Sequence, residues 1–356
     1  MPPAALQHVL LGIPPSLQWP VKICTYTTIA CYVLSVATGN VSQVDRIWTF
    51  MPTIYTAYFA LLPLWPRESP LPLFPFTPAE VHASVAENWN PRALLMFGLT
   101  FLWMCRLSYN TWRRGLFNLH DEDYRWEILR QKVPMWFFHI VNLTFIAVIQ
   151  NIILFLLGIP TYIAVWQEPT ALNTSDYILA ALALLDLAVE FTADNQQYSF
   201  QTYKHSGVIE TNDWPFANQA WTPHDAKRGF ITKGLWAWSR HPNFLCEQSF
   251  WIIISFFPIL APESPPVTAH ETQWTSLLPL APALVLCSLF FSSTLYTESI
   301  SLGKYPVGYK AYQQRVAMFV PFLTPVWGLL LQLQGKKEKV DTLLFGQETA
   351  VVKKIE

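Results

Sequence analysis

The 356-residue chain is 52% apolar and 15% aromatic, whereas only 13% of its residues are charged, about half the charged fraction of a typical soluble domain. This composition predicts a membrane protein, with the lipid bilayer as a partner. The net charge of −1 provides no overall basic field, so we expect no nucleic-acid partner.

The N-terminal twenty residues lack a basic segment and a small-residue cleavage site, which predicts a retained first span rather than a cleaved signal peptide. The five cysteines lie within or beside apolar runs without Cys-x-x-Cys spacing, and we interpret them as reduced packing residues. The eight histidines are scattered, so no metal site is expected.

The sequence contains seven apolar stretches, each long enough to cross about 30 Å of hydrocarbon as a helix. They predict an all-α, polytopic membrane protein with about seven transmembrane helices. The spans are expected at about residues 20–38, 47–65, 92–110, 134–158, 176–193, 244–262 and 276–297.

The distribution of Lys and Arg predicts the orientation of these spans. Alternate connections and the C-terminal segment carry 20 of the 23 basic residues, and only Lys22, Arg67 and Arg92 fall on the other side. The positive-inside rule therefore places the C-terminus in the cytosol and the N-terminus in the lumen. The organisation we expect is a two-helix membrane region (1–90), a main membrane domain (91–325) and a polar cytosolic tail (326–356).

Polar residues with possible functions gather at the predicted cytosolic side, beginning at the end of the third span. Arg106, Asn110 and Arg113 are spaced by four and three, so they share one helix face. Together with Arg114 and Arg125 they could bind phosphates through charge-assisted hydrogen bonds. The alternative is that these arginines only reach the headgroups and pair with nearby Asp and Glu residues.

A second polar stripe follows the fifth span. Its members step by four, four, three and four, so they line one face of a helix. They are Asp186, Glu190, Asp194, Gln197 and Gln201. Each carboxylate within a span costs about 2.5 to 3.5 kcal/mol on insertion, which favours a cavity or a partner over a lipid-facing position. A purely structural pairing with arginine remains open for Asp186.

The third polar segment is the stretch "GLWAWSRHPNFLCE". Its Arg240 and His241 form a turn that ends at Pro242, and Asn243 and Glu247 then share one face of the next helix. A helix cap accounts for one such residue but not for the whole set. A fourth segment carries Tyr296 and Glu298 at the end of the seventh span. A basic, aromatic stretch follows, which an interfacial helix would equally explain.

The sequence contains no Walker loop, no Gly-x-Ser-x-Gly and no His-Glu-x-x-His motif. Its four polar segments, "RLSYNTWRRG" with "DEDYRW", "EFTADNQQ", "KGLWAWSRHPNFLCE" and "ESISLGKYPVGYKAYQQRVAMFVPF", together resemble the steroid 5α-reductase-like membrane reductases. The resemblance covers roughly residues 95 to 325 and favours the branch with the arginine-rich "EDYR" segment.

The resemblance implies a seven-helix fold of the endoplasmic reticulum, NADPH held between the cytosolic halves of the helices, and a lipophilic substrate that enters from the bilayer. It implies cofactor contacts for Asp194 and Arg106, and places Asn243 and Glu247 near the nicotinamide and Tyr296 in the same pocket. By position, the candidate cofactor-binding residues also include Asn110, Arg114, Glu190, Lys204, Arg240 and His241. Glu190 stands where the steroid enzymes have Asn, and Lys204 is the nearest candidate for the 2′-phosphate.

The function expected is NADPH-dependent reduction of a carbon–carbon double bond in a sterol, steroid, enal or other lipid. Glu247 and Tyr296 are rival candidates for the catalytic proton donor. The alternatives are an S-adenosylmethionine-dependent methyltransferase of the isoprenylcysteine carboxyl methyltransferase type and a lipid binder without catalytic activity. The "EFTAD" stripe and the "KYPVGYKAY" segment favour the reductase.

Overall fold

A computed structural model describes residues 12–209, 214–263 and 274–345. Within these ranges the chain is helical and forms no β-strand beyond one isolated bridge between Ser239 and Ala317. The predicted all-α class is confirmed. Residues 1–11, which precede the predicted first span, and residues 346–356 of the predicted tail lie outside the described residues.

The chain divides into two compact units. The first comprises Met1–Leu184 and Trp251–Leu286, and the second comprises Leu185–Phe250 and Cys287–Glu356. This division reflects packing within each unit, so the predicted regions 1–90, 91–325 and 326–356 stay a prediction.

The first unit contains the N-terminal helices. They are α1 (Gln18–Thr38), α2 (Gln43–Trp48), α3 (Met51–Ala60), α4 (Ala83–Ala86), α5 (Pro91–Arg113), α6 (Tyr124–Lys132), α7 (Met135–Val141), α8 (Gln150–Leu156) and α9 (Ile159–Trp166). A π-helical segment, Asn142–Ile149, joins α7 to α8, and 3₁₀ turns lie at Pro15–Leu17, Leu62–Leu64 and Trp274–Leu280.

The remaining helices complete the chain. They are α10 (Thr174–Ser206), α11 (Pro223–Arg228), α12 (Pro242–Ile259), α13 (Ala281–Lys304), α14 (Pro306–Arg315), α15 (Leu323–Leu333) and α16 (Lys337–Phe345). The boundaries between the units fall within α10, α12 and α13, and a 3₁₀ turn at Gly234–Ala237 precedes α12.

Three helical segments of the described chain are long and apolar enough to cross a membrane, namely Pro15–Thr38, Met135–Trp166 and Ser276–Lys304. The predicted second span, 47–65, is divided, because α3 has only ten residues, a length of about 15 Å. Apolar helices therefore support membrane character, while the number of seven spans and their orientation stay predictions.

Within the first unit, α1 packs on the π segment and α8, and α3 packs on α5 and α9. Asn90 starts α5, since its Oδ1 accepts a hydrogen bond from the Ala93 N–H at 3.0 Å, which satisfies a donor that the helix itself leaves open. Two residues later, Arg92 is 1% exposed and forms a two-point ion pair with Asp176, at 2.8 and 3.2 Å. Glu263 adds a weaker contact at 3.4 Å.

The second unit has two apolar clusters. One contains Phe200, Tyr203, Trp221, Ile231 and Trp236, and the other contains Tyr309, Ala311, Tyr312, Val316, Leu331, Val340 and Leu344. The second cluster includes α16, so the part of the predicted polar tail up to Phe345 is helical and packed on α14.

Helix α11 begins with a capping box between Thr222 and Asp225. Asp225 also pairs with Arg228 and Lys233. Burial alone would raise the pKa of Asp225, but the hydrogen bonds from Lys233, Thr222 and Arg228 outweigh it and lower the pKa to about 2. This carboxylate fixes the segment that leads to the 3₁₀ turn before α12.

Candidate functional site

The turn before α12 is anchored on α10 at Gly234, whose φ is +63°. A Cβ at this position would lie 2.6 Å from the Gln196 side chain, so glycine is required both for the backbone conformation and for the close approach. Gln196 Oε1 accepts the Leu235 N–H at 3.0 Å, and the Trp236 indole donates to the Ala193 carbonyl at 3.2 Å. Both contacts hold the turn against the segment of α10 that contains Asp194.

The other side of the turn pairs with the segment after α14. The backbone N–H groups of Arg240 and His241 donate to the carbonyls of Ala317 and Met318 at 2.9 and 3.1 Å. Thr324 Oγ1 donates to the Trp238 carbonyl and accepts the Ala317 N–H, at 2.6 and 2.9 Å. The backbone of the turn is thus hydrogen-bonded before α12 begins, which fixes the direction of that helix.

Asp194 and Asn243 meet where α10 and α12 approach each other. Asn243 Nδ2 donates to Asp194 Oδ1 at 3.2 Å, while Asn243 Oδ1 accepts the Phe244 N–H at 3.1 Å. Asp194 is buried and Asn243 is half-buried. The amide therefore links the "EFTAD" and "RHPN" segments directly, which a helix cap alone would not do.

Two more carboxylates lie one helical turn from this contact. Glu190 precedes Asp194 by four residues on α10, and Glu247 follows Asn243 by four on α12, so each shares a face with its neighbour. Glu190 is 2% exposed and Glu247 is 5% exposed. Buried acidic side chains are rare unless they have partners or a function, and three of them within two helical turns define the polar surface of this site.

All three nitrogens of the Arg240 guanidinium donate hydrogen bonds to oxygen atoms of the protein. Its Nε and Nη2 donate to the two oxygens of Glu298 at 2.7 and 3.1 Å, and Nη1 donates to the carbonyls of Gln313 and Val316. Arg240 and Glu298 are buried. The side chain thus holds the turn, α13 and the segment after α14 together, and its predicted contact with a cofactor stays a prediction.

His241 completes the same cluster. Its Nε2 lies 3.0 Å from Glu298 Oε1, and its ring stacks on Phe244 with centroids 5.6 Å apart. Burial lowers the pKa of His241 and the positive charge of Arg240 lowers it further, although Glu298 opposes both effects. The imidazole is therefore neutral near pH 7 and donates its Nε2–H to Glu298, an arrangement that fixes the tautomer.

The sequence placed Glu298 at the end of the seventh span but assigned no role to it. Glu298 accepts hydrogen bonds from Arg240, His241, Gln313 and, at 3.5 Å, Tyr309. The signal was a carboxylate near the end of an apolar helix, which is costly without a partner. Its partners lie 58 and 57 residues earlier in the chain for Arg240 and His241, and no local pattern connects such distant positions.

Lys204 and Tyr296 lie at other places in the second unit. The Lys204 ammonium donates to the Gly229 carbonyl at 3.0 Å and to the Tyr305 hydroxyl at 3.2 Å, so two of its three donors are engaged. Tyr296 is half-buried on α13, two residues before Glu298, and about 200° separates the two side chains around the helix. The predicted roles of Lys204 and Tyr296 stay predictions.

The predicted arginine-rich segment belongs to the first unit. Asn110 is buried and accepts a hydrogen bond from Arg113 Nε at 3.0 Å, Arg106 is half-buried, and Arg114 is exposed at the end of α5. Arg125 forms a two-point ion pair with Asp123 at 2.8 and 2.9 Å. The salt-bridge interpretation therefore describes Arg125, and the cofactor roles of Arg106, Asn110 and Arg114 stay predictions.

Among residues 12–209, 214–263 and 274–345, no group of three His, Cys, Asp or Glu side chains is arranged to hold a metal ion. The five cysteines are free thiols. The polar groups described above in the second unit are carboxylates, an amide, a guanidinium and a neutral imidazole.

Comparison with known proteins places the chain in a family. Residues 31–316 match the model described as Protein of unknown function (DUF1295), and the chain belongs to that family, which is part of the steroid 5α-reductase-like superfamily. The chain is similar to Uncharacterized protein C594.04c of the fission yeast Schizosaccharomyces pombe, with 34% identity over 292 residues that cover 82% of this chain and 75% of the yeast protein. No solved structure matches the chain significantly.

Proposed function

We propose that the protein is an NADPH-dependent reductase of a carbon–carbon double bond in a lipophilic substrate, acting in the membrane of the endoplasmic reticulum. The observation that supports this most directly is the contact between Asp194 and Asn243, with buried Glu190 and Glu247 one turn away. Superfamily membership adds the expectation of a reductase.

The donor and acceptor set of the site fits a dinucleotide. A carboxylate accepts hydrogen bonds from ribose hydroxyls or from an amide, and a side-chain amide both donates and accepts. Asp194 and Asn243 supply these groups at 3.2 Å from each other. In the part of the chain that the structure describes, the Lys204 ammonium donates to two oxygens, which leaves one donor for a phosphate oxygen. NADPH would supply a hydride to the β-carbon of a polarised double bond when bound.

The residues of the chain would then orient the two reactants and deliver a proton. Asn243 is fixed by its bond to Asp194, so its position does not depend on a flexible side chain. Glu247 lies one turn farther along α12 and is buried, on the same helix face as Asn243. In this proposal Glu247 donates the proton that the substrate takes up next to the reduced carbon, and Tyr296 is the rival donor.

The test of cofactor class is thermal stabilisation of the full-length protein in detergent by NADPH, NADP⁺, NADH and S-adenosylmethionine in parallel. A ligand at about 100 times its Kd stabilises the native state by about 2.7 kcal/mol. We expect the NADP(H) forms to raise Tm most. Stabilisation by S-adenosylmethionine alone would replace the reductase with a methyltransferase, and no stabilisation by any of them would favour a lipid binder.

Asp194→Asn ties that result to the site. This variant should lose most of the NADPH-dependent rise in Tm, because the carboxylate that accepts from Asn243 and from the ligand is gone. Asp341→Asn is the matched control, since it makes the same chemical change at a partly exposed ion pair with Arg315. Equal stabilisation of both variants by NADPH would remove Asp194 from the cofactor site.

The proton donor is tested by turnover of a substrate that the wild-type protein reduces. Glu247→Gln should lower kcat by about 10²-fold or more if Glu247 acts as the general acid, whereas NADPH should still raise Tm. Full turnover by Glu247→Gln together with a loss in Tyr296→Phe would assign the acid role to Tyr296.

A further inference from the structure

Helix α15 of the second unit carries its large apolar side chains on the outside. Phe322, the residue before α15, is 83% exposed, and Leu333, the last residue of the helix, is 77% exposed. The exposed apolar residues between them are Leu323, Val326, Leu329 and Leu330. At about 100° per residue these six positions fall within an arc of about 120°, so they form one continuous apolar surface, called here the outer face.

The opposite side of α15 packs on its own unit. Thr324, Gly328 and Leu331 are buried there, and a Cβ at Gly328 would lie 3.1 Å from the Arg315 guanidinium. Arg315 donates to the Thr324 carbonyl at 3.3 Å and pairs with Asp341 of α16. A surface helix of a soluble domain turns its apolar stripe towards the core, whereas α15 directs most of its apolar side chains away from the protein.

The length of α15 is too short for a transmembrane span. Its eleven residues extend about 16 Å, roughly half the thickness of the hydrocarbon layer. The helix ends before Gly335, whose φ is +65°, and the chain continues into α16, which packs back on α14. A short helix with an apolar outer face and a protein-bound inner side fits the plane of the membrane interface, where the outer face contacts acyl chains.

Basic residues follow α15 directly. Lys336 and Lys339 are exposed and Lys337 is half-buried. The acids in the same stretch are Glu338, which is exposed, and Asp341, which belongs to the ion pair on the inner side. Three lysines against one glutamate leave the end of the outer face net positive. Lysine is depleted in the core of protein–protein interfaces but is attracted to anionic lipid headgroups, so charge complementarity favours a bilayer surface over a protein partner.

We propose that α15 lies flat in the interface of the bilayer and that Lys336, Lys337 and Lys339 bind anionic phospholipid headgroups. The outer face then contacts acyl chains at one depth along its whole length. This contact requires a membrane surface but no cofactor, so it is independent of the proposed reductase activity.

The interfacial contact of α15 also sets the depth of the candidate site in the second unit. Thr324 Oγ1 donates to the Trp238 carbonyl and accepts the Ala317 N–H, at 2.6 and 2.9 Å. The first turn of α15 is thereby bonded to the turn that precedes α12, and Asn243 lies in the first turn of α12. Anchoring α15 at the interface therefore holds Asn243 at a constant distance from the membrane surface.

The orientation of α15 is tested with nitroxide labels on the full-length protein in lipid nanodiscs. Val326→Cys and Leu333→Cys carry labels seven residues apart at nearly the same angle on the outer face. Gln332→Cys is the matched control, because Gln332 is exposed next to Leu333 but lies outside the outer face. Cys105→Ser removes the exposed native thiol in all three variants, and the labelled background without an introduced cysteine is subtracted.

The depth of each label is measured from its accessibility to oxygen, which concentrates in the acyl chains, and to a water-soluble nickel complex. We expect equal depths within the acyl region at positions 326 and 333, and access of the nickel complex at position 332. A helix along the membrane normal would separate positions 326 and 333 by about 10 Å in depth. That separation, or access of the nickel complex at both outer-face positions, overturns the proposal.

The role of the lysines is tested by backbone hydrogen exchange of residues 323–345 in nanodiscs of phosphatidylcholine with and without phosphatidylserine. The anionic lipid should slow exchange in the wild type by about tenfold or more. Combined Lys336→Gln, Lys337→Gln and Lys339→Gln should abolish this difference. Glu338→Gln, which removes the one exposed acid between the lysines, should increase it. Equal exchange of the wild type in both lipids, or undiminished slowing in the triple variant, overturns the binding of anionic headgroups.

Discussion

Arg240 and Arg46 are buried to nearly the same degree, 7% and 8% exposed, but the regions around them differ in charge. Arg240 has Glu298 as a two-point partner, and Gln313 and Val316 accept from its remaining group. Arg46 has two carbonyls and no acid among the described residues. Burial of an arginine therefore does not by itself indicate its role, since the location of the compensating charge decides it.

Arg92 is an intermediate case within the first unit. It is 1% exposed, has a close two-point partner in Asp176 and a longer contact with Glu263. An arginine with two acids can lose one of them and still have a counterion. We therefore expect the loss in the free energy of unfolding on disrupting these contacts to decrease from Arg240 to Arg92 to Arg46.

The largest effect should come from Glu298→Ala. Removing this carboxylate leaves Arg240 buried without its counterion and takes the acceptor from His241, so we expect a loss of about 3 to 5 kcal/mol in the free energy of unfolding. Equilibrium unfolding in detergent, followed by circular dichroism, measures it. Glu298→Gln keeps an acceptor and should cost less, and equal, small losses in both variants would contradict a structural role for the pair.

Asp176→Asn should have a smaller effect. Arg92 keeps Glu263 at 3.4 Å, and the Asn oxygen still accepts one hydrogen bond, so we expect a loss of about 2 kcal/mol. The same unfolding measurement applies. Adding Glu263→Gln should then cost more in the Asp176→Asn background than in the wild type, because Arg92 would lose its last acid, and strict additivity would break the proposed series.

His241 should make stability depend on pH. Its pKa is lowered in the native state by burial and by Arg240, so below about pH 6.5 the unfolded chain binds a proton that the native protein does not. This contribution to stability is present above pH 6.5 and is lost as the pH falls, by up to about 1.4 kcal/mol per pH unit. The slope of unfolding free energy between pH 7.5 and 5.5 should decrease in His241→Gln, and an unchanged slope would show that other groups dominate.

The smallest effect is expected for Arg46→Met. The substitution loses two hydrogen bonds to carbonyls but also removes an uncompensated buried charge, so the free energy of unfolding should change by about 1 kcal/mol or less. A loss as large as that of Glu298→Ala would mean that Arg46 is chiefly structural, and the comparison between the two arginines would fail.

Much of the helical organisation could be predicted from the sequence, because long apolar runs have few alternatives. The predicted spans 20–38, 134–158 and 276–297 coincide, to within one residue at 134, with parts of the three described helical segments that are long and apolar enough to cross a membrane. The run 47–65 was harder to interpret, since hydropathy does not reveal where a helix is interrupted. Pro52 lies in the first turn of α3, where proline is tolerated. Pro63 follows the end of α3, and a proline disfavours the helical conformation of the residue that precedes it.

The candidate site could be predicted only in part. Residues four apart on one helix, such as Glu190 with Asp194 and Asn243 with Glu247, are recognisable from spacing. The hydrogen bond that joins Asp194 to Asn243 and the cluster around Glu298 depend on packing between distant segments. The free nitrogens of Arg46 are still less predictable, because they are defined by which neighbouring acids have already found other partners.

The π segment Asn142–Ile149 determines where this chain could lose a residue without losing its packing. A π-helix bonds each N–H to a carbonyl five residues earlier rather than four, so it holds about one extra residue per turn. Deleting one residue inside this segment would tighten it to an ordinary α-helical turn and leave α7 and α8 facing their present neighbours. The same deletion inside α8 would rotate everything after it by about 100°, so the π segment is where this long apolar helix can lose a residue and keep the same packing.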